Sequence, residues 1–212
     1  MAHFSFYRFW SLLSFSIKDN FYERKKWYLL FCVVVIVGLI FGMLIGIKTA
    51  GDASLDKLPD SIIADFLRGN CGLVSVVFAR IFAILGLVVA ILFCNINRFL
   101  SFLAFAILLH QSFCISITSA FLISLFGFGG VLNVIVVILP TKLLFLLGLI
   151  LLSVISCEHT WRNYRSGGSI FCYEFFACQK SSFLCIGILL LVSIVLELIF
   201  LPWLSTLLIL AN

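Results

Sequence analysis

Four ionisable side chains lie within long apolar stretches of the sequence and are the first candidates for chemistry. They are Arg80, His110, Lys142 and Glu197. A central charge in hydrocarbon costs about 2.5 to 3.5 kcal/mol on insertion scales, so such groups normally face a bundle interior, a partner or a water-filled cavity. One interpretation is that Lys142 and Glu197 form a buried pair or line a polar cavity, which the other two join. In the alternative interpretation, Arg80 extends toward the outer surface and Glu197 lies near an outer helix end.

Lys142 follows Pro140 closely, near the middle of its apolar stretch. Proline removes a backbone donor and interrupts the helical hydrogen bonds, so exposed carbonyl groups and a cation would share one depth. Interrupted helices in lipid are tolerated where protein or water satisfies the backbone, and transporters build binding sites in this way. The pattern predicts either a binding or transport site at Pro140 and Lys142 or a proline kink that serves helix packing.

Two ridges of small residues indicate close contacts between helices. Small residues let helix backbones approach and gain dispersion contacts in a membrane. One ridge contains a glycine at every fourth position, and the other is composed mainly of serine. The members are Gly38, Gly42 and Gly46 in the first ridge and Ser112, Ser116, Ala120 and Ser124 in the second. We expect one ridge to pack within the monomer, whereas the other does the same or forms the seam of a homo-oligomer or hetero-oligomer.

The composition places all these residues in a membrane protein. Of the 212 residues, 64% are hydrophobic and only 11% are charged, whereas a soluble domain carries about 25% charged residues. A helix needs about 20 residues to cross the bilayer core, and five apolar runs reach that length. The sequence therefore predicts an all-α polytopic membrane helix bundle over residues 27–212. Its five transmembrane helices are expected at 27–47, 73–94, 99–126, 131–155 and 183–204.

Residues 1–26 precede the first predicted span as a cytoplasmic segment. Within them, Phe4 to Ile17 is rich in aromatic residues and carries cations, which is typical of a helix lying in the membrane interface. The alternative is a loosely ordered tail. Nine lysines and arginines lie in the segments assigned to one side, and three lie on the other, where an uncharged turn at Gly127 to Gly130 is also placed. The positive-inside rule then predicts a cytoplasmic N-terminus and an external C-terminus, and we expect the membrane to be the plasma membrane.

Several function classes are disfavoured by the sequence. The net charge of +5 is scattered among apolar runs and does not form a nucleic-acid-binding surface. No P-loop, HExxH or GxSxG motif is present, so we expect neither an enzyme nor a bound cofactor or metal. Glu158 and His159 are interpreted as an ordinary surface pair. Membrane lipid is the one contact that composition alone predicts.

The chain resembles the stage II sporulation protein M family over about Phe21 to Leu210, in length and in the number and order of spans. The resemblance is carried by the Leu139-Pro140 step in the fourth span and by the Pro202-Trp203-Leu204 ending of the last span. The chain differs from the family pattern where serines replace a glycine-rich third helix. It also differs after the mid-helix proline, where Thr141-Lys142 stands in place of amide or His-Gly residues.

This resemblance implies a non-enzymatic integral membrane scaffold of endospore-forming bacteria. It would act in forespore engulfment together with two peptidoglycan-degrading partners, the sporulation proteins D and P. Contacts would come from the outer loop Lys48 to Arg68, the exposed helix ridges and the last helix. A second hypothesis is a small transporter or channel subunit that uses Lys142, Glu197 and Arg80 around Pro140. A third is an accessory subunit of some other membrane system.

Overall fold

The computed structural model of the chain describes residues 24–49, 73–93, 100–166 and 179–210. These residues are helical and include no strand, which confirms the all-α prediction. Helix is the expected form because a single helix satisfies its own backbone hydrogen bonds in lipid. The helices are α1 (Lys25–Thr49), α2 (Leu73–Phe93), α3 (Ser101–Asn133), a short π-helix (Val134–Ile138), α4 (Leu139–Ser166) and α5 (Lys180–Leu210).

Four helical stretches in the described residues are long and apolar enough to cross a membrane. They are Lys25–Thr49, Val74–Phe93, Ser101–Arg162 and Lys180–Phe200. This pattern is consistent with a multi-pass membrane protein. Four stretches replace the five expected ones because the third and fourth predicted helices are joined into one stretch of 62 residues. The predicted interfacial helix at Phe4 to Ile17 and most of the outer loop lie outside the described residues.

The 62-residue stretch is not straight, because it bends sharply at Gly127. The φ angle of Gly127 is 54° and its ψ angle is −123°, a conformation that glycine adopts readily. Just beyond it, a Cβ atom on Gly130 would lie 2.1 Å from the carbonyl oxygen of Leu122, so glycine is required there too. The two arms run back along each other, since the Cys157 thiol lies 3.8 Å from the Ser101 carbonyl oxygen. The predicted turn at Gly127 to Gly130 therefore lies at this bend.

The closest helix contact in the described bundle joins α1 to α3. The glycine ridge of α1 faces the small-residue ridge of α3, and every facing pair differs by the same 74 positions, so the two helices run parallel. A Cβ atom on Gly42 would lie 2.6 Å from the Phe113 carbonyl oxygen, which shows how close the backbones are. The facing pairs are Gly38 and Ser112, Gly42 and Ser116, and Gly46 and Ala120.

Side chains reinforce this parallel seam. The Ser116 hydroxyl donates a hydrogen bond of 2.7 Å to the Leu39 carbonyl oxygen on α1. Toward the start of both helices, the rings of Phe31 and Phe105 stack with centroids 4.4 Å apart, and Phe31 is fully buried. The glycine ridge and three members of the second ridge, Ser112, Ser116 and Ala120, are thus used inside the monomer. Ser124 is exposed and does not face the glycine ridge.

Charged and aromatic residues gather at one end of the bundle, where α1 begins, α4 ends and α5 begins. Arg24 forms an ion pair with Glu158 and lies 3.5 Å from the Gln179 side-chain oxygen. Trp27 and Trp161 each follow a member of this pair by three residues, and their indole rings have centroids 6.0 Å apart. Tryptophan is enriched at membrane interfaces. Helix α4 extends past the predicted end at residue 155 and reaches Ser166.

Helix α2 lies at the edge of the described bundle. Of its described side chains, only Val76 and Ile91 are buried. Large apolar side chains such as Phe78 and Phe82 point outward, and Phe82 is 72% exposed. One face of α2 packs on the core through Ile91 and the partly buried Leu87 and Val88, and its polar contacts add to this packing.

Candidate functional site

Three of the four predicted intramembrane ionisable residues meet in one cluster, which we call the ion triad: Arg80, Lys142 and Glu197. One carboxylate oxygen of Glu197, Oε1, lies 2.8 Å from Arg80 Nη2 and 3.0 Å from Lys142 Nζ. The three side chains are 9 to 14% exposed. The triad joins α2, α4 and α5, because each helix supplies one member.

Burial makes the contacts of the ion triad strong and also necessary. Opposite charges attract more strongly in a protein interior than in water, because the effective dielectric constant is lower. Removing charges from water is costly, however, and a buried charge is tolerated where an opposite charge and hydrogen bonds compensate it. Glu197 contacts both cations with its single negative charge, so the three groups together carry a net charge of +1. The carboxylate is therefore the central member of the triad.

The position of Lys142 depends on how the chain passes Pro140. The preceding residues Val134–Ile138 form a π-helix, and the Leu139 N–H donates to the Val134 carbonyl oxygen five residues earlier. Proline lacks an N–H, and its ring clashes with the carbonyl group four residues before it. A wider turn relieves both problems, and such single π-turns are frequent at functional sites. At Pro140 the regular α-helical hydrogen bonding is thus interrupted by a wider turn, and the helix continues beyond it.

Thr141 satisfies the backbone around this wider turn. Its hydroxyl lies 2.8 Å from the Val137 carbonyl oxygen and 3.1 Å from that of Ile138. The carbonyl group of Thr141 accepts a hydrogen bond of 2.9 Å from Ser193 on α5. Ser193 lies one helical turn before Glu197 on α5, and Thr141 is next to Lys142 on α4. The Ser193–Thr141 hydrogen bond and the Glu197–Lys142 ion pair therefore join the same faces of α4 and α5.

A groove borders the ion triad between α1, α3 and α4. Its volume is about 580 Å³, and leucine, isoleucine and valine form most of its walls. Lys142, Ser116 and Ser119 are its polar lining residues. Ligand sites commonly combine apolar walls of this extent with a few polar groups. Lys142 is the residue shared by the groove and the triad.

His110 does not join the ion triad. It lies on α3 with an exposed side chain, and its ring nitrogens are 3.7 and 3.8 Å from the Cys114 sulfur, one helical turn along. In the described part of the chain, no group of three or more His, Cys, Asp or Glu side chains is arranged to hold a metal ion.

No family model, curated protein or solved structure matches the chain. The function must therefore be argued from the triad, the parallel seam and the groove.

Sequence reasoning missed the contact between Arg24 and Glu158. Glu158 was assigned to a surface pair with its neighbour His159, whereas its carboxylate meets Arg24, which is only 6% exposed. The sequence contained a signal for this contact. Arg24 comes just before the first apolar stretch and Glu158 just after the fourth, and both positions were assigned to the cytoplasmic side. The Ser193 contact had no comparable signal, since a serine in an apolar helix has many possible acceptors.

Proposed function

We propose that the chain is a non-enzymatic membrane scaffold, resembling the stage II sporulation M protein, that acts with peptidoglycan-degrading partners in forespore engulfment. The supporting observation is that Glu197 lies within 3.0 Å of both Arg80 and Lys142. Such a cluster fixes three helices relative to one another. A rigid bundle that holds its intramembrane charges together suits a protein whose task is to present surfaces to partners.

We also propose that this scaffold crosses the membrane five times, with a cytoplasmic N-terminus and an external C-terminus. The bend at Gly127 supports five crossings, because it divides a stretch of 62 residues into two arms that each exceed the bilayer core of about 30 Å. Arg24, Lys25 and Arg162 lie at the same end of the bundle, and the positive-inside rule places that end in the cytoplasm.

Cysteine labelling tests this topology. In a cysteine-free variant, Phe128→Cys at the bend, where the native side chain is 78% exposed, should react with an impermeant maleimide added to intact cells. Arg162→Cys should react only after the membrane is opened. Labelling of both sites from outside, or of neither, would contradict five crossings in this orientation.

The scaffold role is tested by deleting the gene in its host and imaging the membranes of starved cells with a membrane dye. Engulfment should stall with a persistent septum, and the wild-type gene should restore it. A tagged wild-type protein should co-purify with peptidoglycan hydrolases. The Glu197→Gln variant should co-purify with less hydrolase, and the decrease should match the decrease in the amount of folded variant. Normal membrane migration in the deletion strain would reject the engulfment role.

The groove supports a second candidate, a small transporter or channel subunit. Lys142 lines this groove, which has a volume of about 580 Å³, and Lys142 follows the π-helix by one turn. This hypothesis predicts that Lys142→Met changes solute or ion flux in proteoliposomes while the protein still inserts and folds. Under the scaffold hypothesis, the same variant changes stability and leaves the flux at the level of empty liposomes.

A further inference from the structure

Lysines begin two of the described helices at positions where the helix dipole opposes a positive charge. Lys25 and Lys26 are the first residues of α1, and Lys180 is the first residue of α5. The start of a helix carries a partial positive charge, so carboxylates are favoured there and cations are disfavoured. The first turns of α1 and α5 contain no acidic residue. These three residues, which we call the lysine cluster, therefore destabilise their own helices unless negative charge lies near them.

The starts of α1 and α5 lie side by side at one end of the bundle. Arg24, just before α1, is 3.5 Å from the side-chain oxygen of Gln179, just before α5. The lysine cluster follows these two residues directly in the chain, and all three of its side chains are exposed. The three ammonium groups and the two helix starts have the same sign of charge, so together they form a strongly positive surface.

The carboxylates of the described residues do not balance this surface. Two acidic residues lie in the described part of the chain. Glu158 forms an ion pair with the buried Arg24, and Glu197 belongs to the ion triad. At the same end of the bundle, Arg162 adds another exposed cation near the end of α4. The described side chains at this end thus carry a clear excess of positive charge.

The depth of this surface indicates which molecules face it. The indole rings of Trp27 and Trp161 lie at the same end of the bundle, and tryptophan is enriched where lipid headgroups meet hydrocarbon. Trp27 directly follows Lys26, and the long apolar run of α1 comes after it. The lysine cluster therefore lies at the level of the headgroups, where phospholipids surround a membrane protein.

We propose that the lysine cluster binds the phosphate headgroups of anionic phospholipids. A phosphate supplies the negative charge that both helix starts favour, and its oxygens accept charge-assisted hydrogen bonds from ammonium groups. Basic sites between transmembrane helices recognise acidic headgroups in this way. Phosphatidylglycerol has a net negative charge, whereas the choline cation of phosphatidylcholine balances its phosphate. The lysine cluster should therefore prefer phosphatidylglycerol.

This inference goes beyond the scaffold role and depends only on insertion into a membrane. The engulfment role and the lipid preference can therefore fail separately.

The test measures which phospholipid lies next to Trp27 and Trp161. All variants share a background in which Trp10 and Trp203 are replaced by phenylalanine, so the emission comes from the two tryptophans beside the lysine cluster. The full-length protein is reconstituted in mixtures of phosphatidylcholine and phosphatidylglycerol, with one lipid brominated at a time. Quenching of the tryptophan emission then gives the binding constant of phosphatidylglycerol relative to phosphatidylcholine.

The wild type should bind phosphatidylglycerol more tightly than phosphatidylcholine, and high salt should reduce the preference because it screens exposed charges. Lys25→Gln, Lys26→Gln and Lys180→Gln together should reduce it about fivefold or more, since one lysine near an anionic membrane surface contributes about fivefold. Lys48→Gln is the matched control. Lys48 is also exposed, but it lies in the last turn of α1, where the helix dipole favours a cation. The control should keep the wild-type preference.

Stability gives a second readout that separates headgroup binding from removal of surface charge. In phosphatidylcholine bilayers, the triple glutamine variant should be at least as stable as the wild type, because it removes cations from helix starts. In phosphatidylglycerol bilayers, the wild type should be the more stable of the two, because a ligand that binds the folded state stabilises it.

Three results would overturn the proposal. The first is a wild type that binds both lipids equally, and the second is a triple variant that keeps the full preference for phosphatidylglycerol. The third is a wild-type advantage in stability that is the same in both lipids. Soluble glycerol phosphate should leave the preference unchanged. If it abolished the preference at millimolar concentration, the ligand would be a free phosphate compound, and binding of phospholipids would be rejected.

Discussion

The parallel seam between α1 and α3 makes a quantitative prediction at Gly46. A Cβ atom on Gly46 would lie 2.5 Å from the Cβ of Ala120, whereas carbon atoms in favourable contact are about 3.5 to 4.0 Å apart. Gly46→Ala should therefore push the two helices apart by about 1 Å at this point. Overpacking of this kind costs about 1 to 3 kcal/mol.

The separation should also weaken the hydrogen bond from Ser116 to Leu39, one turn along the same seam. Interhelical hydrogen bonds in membranes contribute about 0.6 kcal/mol on average. The total loss is then about 1.5 to 3.5 kcal/mol of unfolding free energy, relative to an alanine substitution that meets no neighbour. The measurement is the free energy of unfolding in mixed micelles, or by steric trapping in bilayers.

Gly86→Ala on α2 is the matched control, because no atom lies within 4 Å of a Cβ built there. It should be neutral or slightly stabilising, since alanine has the higher helix propensity. The compensating pair Gly46→Ala and Ala120→Gly moves one methyl group across the seam and should restore most of the lost stability. Equal stabilities of Gly46→Ala and Gly86→Ala, or a compensating pair no better than Gly46→Ala alone, would refute the packing argument.

Three further substitutions test the triad, the π-helix and the bend, each by the same unfolding measurement. Glu197→Gln removes the negative charge that Arg80 and Lys142 share and should lower the unfolding free energy by about 3 to 5 kcal/mol. The triple variant R80L, K142M and E197L, which removes all three charges, should recover most of that loss. Equal stability of E197Q and the wild type would contradict a structural role for the triad. Thr141→Val removes the hydroxyl from the π-helix carbonyls and should cost about 1 kcal/mol, with faster amide exchange nearby; unchanged exchange would argue against that role. An alanine at Gly127 meets no atom within 4 Å, so the expected loss of about 1 to 3 kcal/mol in Gly127→Ala reports backbone strain alone. No loss would mean that the bend tolerates a side chain.

The sequence predicted the helices and their small-residue faces because both are local periodic patterns. A run of about 20 apolar residues defines a helix in lipid without reference to the rest of the chain, and a four-residue spacing of Gly38, Gly42 and Gly46 defines one face. Spacing does not tell which helix packs against that face. The offset of 74 positions between the α1 and α3 ridges follows only from the folded arrangement.

The candidate site was predictable in its members and not in its contacts. The free-energy cost of a charge in hydrocarbon identified Arg80, His110, Lys142 and Glu197 as candidates. That cost does not tell whether a side chain faces the interior of the bundle or a second protein. The rotation of each helix decides between them, and packing of all the helices together sets that rotation. At Pro140, the missing donor was certain from the sequence. Whether the helix broke or widened depended on Thr141 and Ser193, which satisfy the nearby backbone.

The ion triad also imposes an order on the making of the protein. The ribosome synthesises Arg80 and then Lys142 well before Glu197, so two cations reach the membrane ahead of the carboxylate that contacts both. A central charge costs about 2.5 to 3.5 kcal/mol on insertion scales, and during this interval α2 is also the helix with few buried side chains. A chain that stops before α5 therefore lacks the carboxylate that Arg80 and Lys142 contact. Addition of α5 brings Glu197 within 3.0 Å of both cations and so links α2, α4 and α5.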